Sequence, residues 1–108
     1  MPALISVFLC PGALKAEPPV LDPAQAIRGQ QLFLDTCAAC HGDEALGESG
    51  PDIQGSTLHD VETAIRGIDQ MPEIWLDEGE PEAIATFLMS LNPKIAEIKL
   101  RHEQTMAN

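Results

Sequence analysis

The 108-residue chain has no tyrosine and only four aromatic residues, three Phe and one Trp. That is a thin supply of large side chains for a core, and a bound cofactor would fill the gap. Bases are scarce as well: six Lys and Arg stand against 17 Asp and Glu, a formal charge of -11. A surface of that sign repels phosphate backbones and anionic lipid, which argues against nucleic-acid binding and membrane-surface binding. The about 20 unbroken apolar residues of a membrane span are missing, because Pro11, Pro18 and Pro19 interrupt the N-terminal apolar run. Three cysteines are too few and too unevenly spaced for a disulfide framework. A domain ordinarily takes about 100 to 200 residues, so the chain has room for one, and a two-domain enzyme is excluded.

The first residues have the order of an export signal. An apolar stretch from Ala3 to Leu9 is broken by Pro11-Gly12, and Ala13 to Ala16 ends in a small residue before Glu17-Pro18-Pro19. This resembles a secretory signal peptide over residues 1–16, although Lys and Arg are absent from the first fourteen positions. Cleavage there removes Cys10, and Val7-Phe8-Leu9 lack the small residue that a lipoprotein signal places before its cysteine. The expected destination is the bacterial periplasm, with no membrane span in the mature chain.

Helical patterning accounts for the rest. Asp22 caps a helix with Pro23 at its first position, running to about Thr36. Gly42, Gly47, Gly50, Pro51 and Gly55 break the next stretch into loop. Ser56 or Thr57 starts a short helix in which Leu58, Val61, Ile65 and Ile68 recur, ending around Gly67. Met71-Pro72 opens another loop, and Glu80-Pro81 begins a helix with Ile84, Phe87, Leu88 and Leu91 on one face until Asn92-Pro93 stops it. No segment alternates with period two for long enough to make a strand. The expectation is an all-α domain over residues 17–93, with three core helices joined by long loops, and a helix-compatible tail over 94–108, frayed or docked.

Chemistry concentrates in Cys37-Ala38-Ala39-Cys40-His41. Two thiols three residues apart on a helical turn can each add to a vinyl group of one haem, and the following His can bind its iron. A zinc site would need a second ligand pair, and only His59 and His102 remain. A dithiol oxidoreductase would need a strand feeding the motif, where a helix leads into this one.

With these residues in hand, positions 22–92 resemble a compact bacterial class I cytochrome c, a family of electron carriers with covalent haem c. Gly29 and Phe33, Cys37 to His41, Gly50-Pro51-Asp52, Leu58 to Arg66, Met71-Pro72 and Phe87 follow the family's order. The resemblance implies a small cytochrome c fold wrapped around one haem joined to Cys37 and Cys40, with His41 and Met71 as iron ligands. It also implies that the Pro51 carbonyl takes the Nδ1 proton of His41. In the same picture Gly29 and Phe33 meet Phe87 where two helices cross, and Trp75 covers the haem edge with its indole N–H free to reach a propionate. Met71 follows His41 by thirty positions, near the short end for the family.

The function implied is one-electron transfer without substrate chemistry, either as a free periplasmic carrier or as the haem subunit of a larger redox complex. The residues hold no nucleophile with its base and no paired-carboxylate site. The alternative is a haem sensor or peroxidase-like protein with an open sixth iron position, which a Met71 ligand argues against. Between Asp43 and Glu82 stand twelve acids and one base, Arg66. Such a run is either a solvated face or a field that steers a redox partner with a basic docking surface.

Overall fold

In the computed structural model, residues 17–107 are described. The expected signal peptide, with Cys10, lies outside them. Five helices follow one another: α1 (Pro23–Thr36), α2 (Ala38–His41), α3 (Leu58–Ala64), α4 (Glu80–Leu91) and α5 (Pro93–Ala107). No strand occurs among the described residues, as the all-α reading expects.

The helix starts are written locally. The Asp22 carboxylate accepts from the Ala24 N–H at 3.2 Å, with Pro23 at the first helical position. At α3, Thr57 and Asp60 form a reciprocal capping box. Gly79, at φ 85°, turns the chain into α4, and the Glu80 carboxylate takes the Asp77 N–H at 2.8 Å. Asn92 both ends α4 and caps α5, its side chain accepting from Ile95 at 3.1 Å. The short helix α3 stops three residues before the expected Gly67. Ile65 and Arg66 tighten into a turn that Gly67 closes at φ 90°, so Ile68 leaves the helix face and stands 43% exposed.

Helix α4 is the centre of the core, buried at every position from Ala83 to Leu88. Helix α1 crosses it at Gly29, where an added Cβ would lie 1.8 Å from the Ala83 carbonyl oxygen. One turn on, Phe33 is fully buried and its ring sits 5.3 Å from that of Phe87, tilted by 49°. Each such ring contributes roughly 1.5–3 kcal/mol by burial, and the pair about 0.5–1.5 kcal/mol more. Val61 of α3 closes the cluster from the other side, with Leu58, Ile65 and Leu76 packed against it.

The tail is docked. Ala96 is fully buried, and Ile95 approaches Gly55 so closely that a Cβ there would come within 2.8 Å of it. The buried Thr57 hydroxyl donates to Glu103 at 2.5 Å, and Lys99 pairs with Asp60 at 2.9 Å. Burial by itself would raise the Asp60 pKa, but the Thr57 N–H and the Lys99 ammonium outweigh it and hold the carboxyl below its ordinary value of 3.8. A depressed carboxyl stabilises the fold above its unfolded pKa, and that contribution is lost as pH falls through the folded value. Asp60→Asn is therefore expected to destabilise by about 1 kcal/mol at pH 7, a figure kept small by solvent screening of a partly exposed pair. In thermal melts the gap between variant and wild type should close as pH drops below about 4.

Candidate haem-binding site

Helix α1 delivers the attachment motif directly. Cys37 ends α1 through its N–H to the Phe33 carbonyl at 2.7 Å, and the chain then re-enters a single helical turn, with the His41 N–H on the Cys37 carbonyl at 3.1 Å. Both cysteines are free thiols; Cys37 is half-buried and Cys40 exposed. Burial pushes the Cys37 thiol up to about 11, so it stays protonated at neutral pH, while the neighbouring turn offers Cys40 to solvent.

His41 is 8% exposed, and its Nδ1 lies 2.8 Å from the Pro51 carbonyl oxygen. A carbonyl only accepts, so Nδ1 carries the proton and Nε2 presents its lone pair. That atom has no hydrogen-bond partner among the described residues, yet no buried side-chain nitrogen or oxygen is left without one. Nε2 is therefore open to an incoming group. The loop that holds Pro51 in place is tied back to the motif by Gly50 N–H to Cys40 O at 2.7 Å and Gly47 N–H to His41 O at 2.8 Å.

Gly50 has a role that sequence reasoning did not assign. A Cβ there would sit 2.9 Å from Cε1 and 3.0 Å from Nδ1 of His41, so only glycine lets the loop lie flat on the imidazole. The Gly-Pro pair was visible in the sequence, but which ring it covers depends on the fold of the loop.

Met71 lies half-buried in the loop after α3. Its N–H bonds to the Ile68 carbonyl at 2.8 Å, and Ile74 N–H reaches back to Ile65 O at 2.8 Å, which ties the loop to the end of α3. The other methionines lie elsewhere: Met89 packs from α4 against the core, and Met106 is 73% exposed on α5. His59 and His102 are both exposed.

Trp75 lies four residues after Met71. Its side chain is 87% exposed, while Ile74 and Leu76 on either side are half-buried. The segment has no regular secondary structure, and exposure alternates along it, so Trp75 stands out between two less exposed neighbours.

These residues fit a c-type haem: paired free thiols on one turn, an imidazole with its tautomer fixed and one nitrogen open, and a thioether on a separate loop. Residues 24–88 match the family described as cytochrome c oxidase, cbb3-type, subunit III. The chain is 36% identical over 70 residues to cytochrome c-551 of Bacillus subtilis, covering 60% of this chain and 62% of that protein. It is 32% identical over 89 residues to the cbb3-type cytochrome c oxidase subunit CcoP of Rubrivivax gelatinosus, covering 71% and 29%. With the subunit FixPc of Rhizobium leguminosarum it shares 51% identity over 35 residues, covering 30% and 12%. The chain thus spans less than two thirds of the length of each of these relatives. No solved structure gives a significant match. Haem c, held covalently through cysteines, is the cofactor of such proteins, and with more than half of its length inside the match the chain belongs to the cytochrome c family described as cytochrome c oxidase, cbb3-type, subunit III.

Proposed function

We propose that this chain is a monohaem electron-transfer protein, exported to the periplasm through residues 1–16, with the haem domain over 17–93 and a C-terminal tail over 94–108. The observation that carries the reading is the His41–Pro51 hydrogen bond of 2.8 Å, because it fixes the one ring nitrogen that can bind iron beside two free thiols. Cys37 and Cys40 would form the thioether links, His41 Nε2 and Met71 Sδ would ligate the iron, and the Pro51 carbonyl would keep the imidazole oriented. When bound, haem supplies a one-electron Fe(II)/Fe(III) couple, and a thioether ligand together with imidazole would raise its potential.

The chain's own residues do the positioning. The α1 to α2 turn sets the spacing of the thiols, the loop carrying Gly50 and Pro51 locks the imidazole, and the α3 end anchors the loop of Met71. None of them makes or breaks a substrate bond. The buried His41 is tied through Nδ1 to Pro51, and Nε2 would be taken by the iron, so neither nitrogen is left for acid–base work, and the protein is a carrier and not an enzyme. Its partner is another redox protein, and the relatives named as oxidase subunits support placement either free or within such a complex.

Expressed in a host that matures c-type haem, the protein should keep its haem on a denaturing gel and gain the mass of one haem. Replacing Cys37 and Cys40 together by Ala should abolish both. A mass equal to the bare polypeptide would sink the reading.

A further inference from the structure

We propose that Trp75 is the anchor of a docking surface for a basic redox protein, its indole face taking a Lys or Arg of that partner. The proposal rests on the reading of the chain as an electron carrier.

The two neighbours of Trp75 are tied to the fold. Ile74 is pinned by its N–H to the Ile65 carbonyl at 2.8 Å, and Leu76 packs against the core cluster of Phe33, Phe87 and Leu88. Trp75 stands between these two less exposed neighbours and is open to solvent. Among the described residues there are three aromatics, and the other two, Phe33 and Phe87, form the core. A protein so short of aromatics keeps its largest side chain 87% exposed, where it contributes little to folding. Trp is also the residue type most enriched among the few that dominate interface energies.

The surroundings select the partner. Glu73, Asp77 and Glu78 are exposed around Trp75, and none of the three forms an ion pair among the described residues. An indole with exposed carboxylates two and three positions away in the chain suits a cationic side chain, since the ring face attracts the cation and the carboxylates supply the longer-range field. The same carboxylates repel lipid headgroups and nucleic acid. Four residues of extended chain span at most about 14 Å, so a partner held on Trp75 sits close to Met71. In the encounter one electron passes from the reduced protein to the oxidised partner, and no bond forms or breaks.

The test follows the reduced, haem-loaded protein by stopped flow against two oxidants: a lysine-rich c-type cytochrome, and tris(phenanthroline)cobalt(III) as a small complex that needs no docking surface. Trp75→Ala should slow the reaction with the protein acceptor about tenfold at low salt, and Trp75→Phe should retain most of the rate. With the cobalt complex both variants should match wild type, and their visible spectra should be unchanged. Neutralising the loop with Glu73→Gln, Asp77→Asn and Glu78→Gln should flatten the salt dependence with the protein acceptor, because the Debye length falls from about 10 Å at 0.1 M to about 3 Å at 1 M. An unchanged rate of Trp75→Ala with the protein acceptor would overturn the proposal and leave the electron-carrier reading standing. Equal slowing with both oxidants and a shifted spectrum would also overturn it, by placing the indole on the haem. A protein that takes up no haem would remove the carrier reading and this proposal together.

Discussion

Gly29→Ala is expected to lower the melting temperature of the haem-loaded protein by at least about 10 °C, the largest stability effect of any single methyl group in this molecule. The added Cβ would lie 1.8 Å from the Ala83 carbonyl oxygen, 2.5 Å from its carbon and 3.0 Å from the Ile84 nitrogen. All three are backbone atoms, so no rotamer change relieves the clash, and α4 has to move as a body. That helix is buried over six consecutive residues, and displacing it opens the Phe33–Phe87 contact as well. Overpacking of a core costs about 1–3 kcal/mol where side chains can adjust, and here it should reach about 3 kcal/mol or more. The better helix propensity of Ala returns only about 1 kcal/mol. Each net kcal/mol is about 4–8 °C in a domain of this size. Gln30→Ala, one position on and exposed, is the control and should melt with wild type. A Gly29→Ala protein that also melts with wild type would mean that the two helices do not cross in contact at this point.

The second large effect is on the redox couple. Met71→Ala should lower the reduction potential by on the order of a few tenths of a volt, because loss of the thioether removes the ligand that favours ferrous iron. The weak sulfur-to-iron charge-transfer band of the oxidised protein should disappear with it, and the reduced protein should begin to bind carbon monoxide. Met89→Ala should leave band and potential in place, since Met89 is packed against the core from α4; its cost should appear in stability, at about 2–5 kcal/mol if the cavity does not collapse. If the band survives in Met71→Ala and is lost in Met89→Ala, the ligand assignment is wrong.

The parts of this protein legible in the sequence are those governed by residues adjacent in the chain. Cys37, Cys40 and His41 are within one helical turn, so their spacing is already a geometry. The starts of α1 and α3 were readable because capping is a bond from one side chain to a backbone N–H two or three positions away. Loop glycines and prolines announced the irregular stretches for the same local reason. The meeting of Gly29, Phe33 and Phe87 was legible only through resemblance to a family, since nothing in a run of residues says which distant helix a glycine will touch.

What the tertiary structure alone decided concerns faces and partners far apart in sequence. The tail could be read as frayed or docked, and the choice fell to Thr57–Glu103 and Asp60–Lys99, pairs separated by 46 and 39 residues. Gly50 reads as an ordinary loop glycine until the loop folds over His41 and leaves no space for a Cβ. The exposure of Trp75 between the half-buried Ile74 and Leu76 is likewise visible only in the fold. The sequence by itself determined the attachment motif, the helical class and the sign of the surface, because those depend on residue type and near-neighbour spacing. Which side of a segment faces the core was decided by packing, because in an extended segment a shift of one residue exchanges the two faces, and only contacts with the rest of the fold select between them.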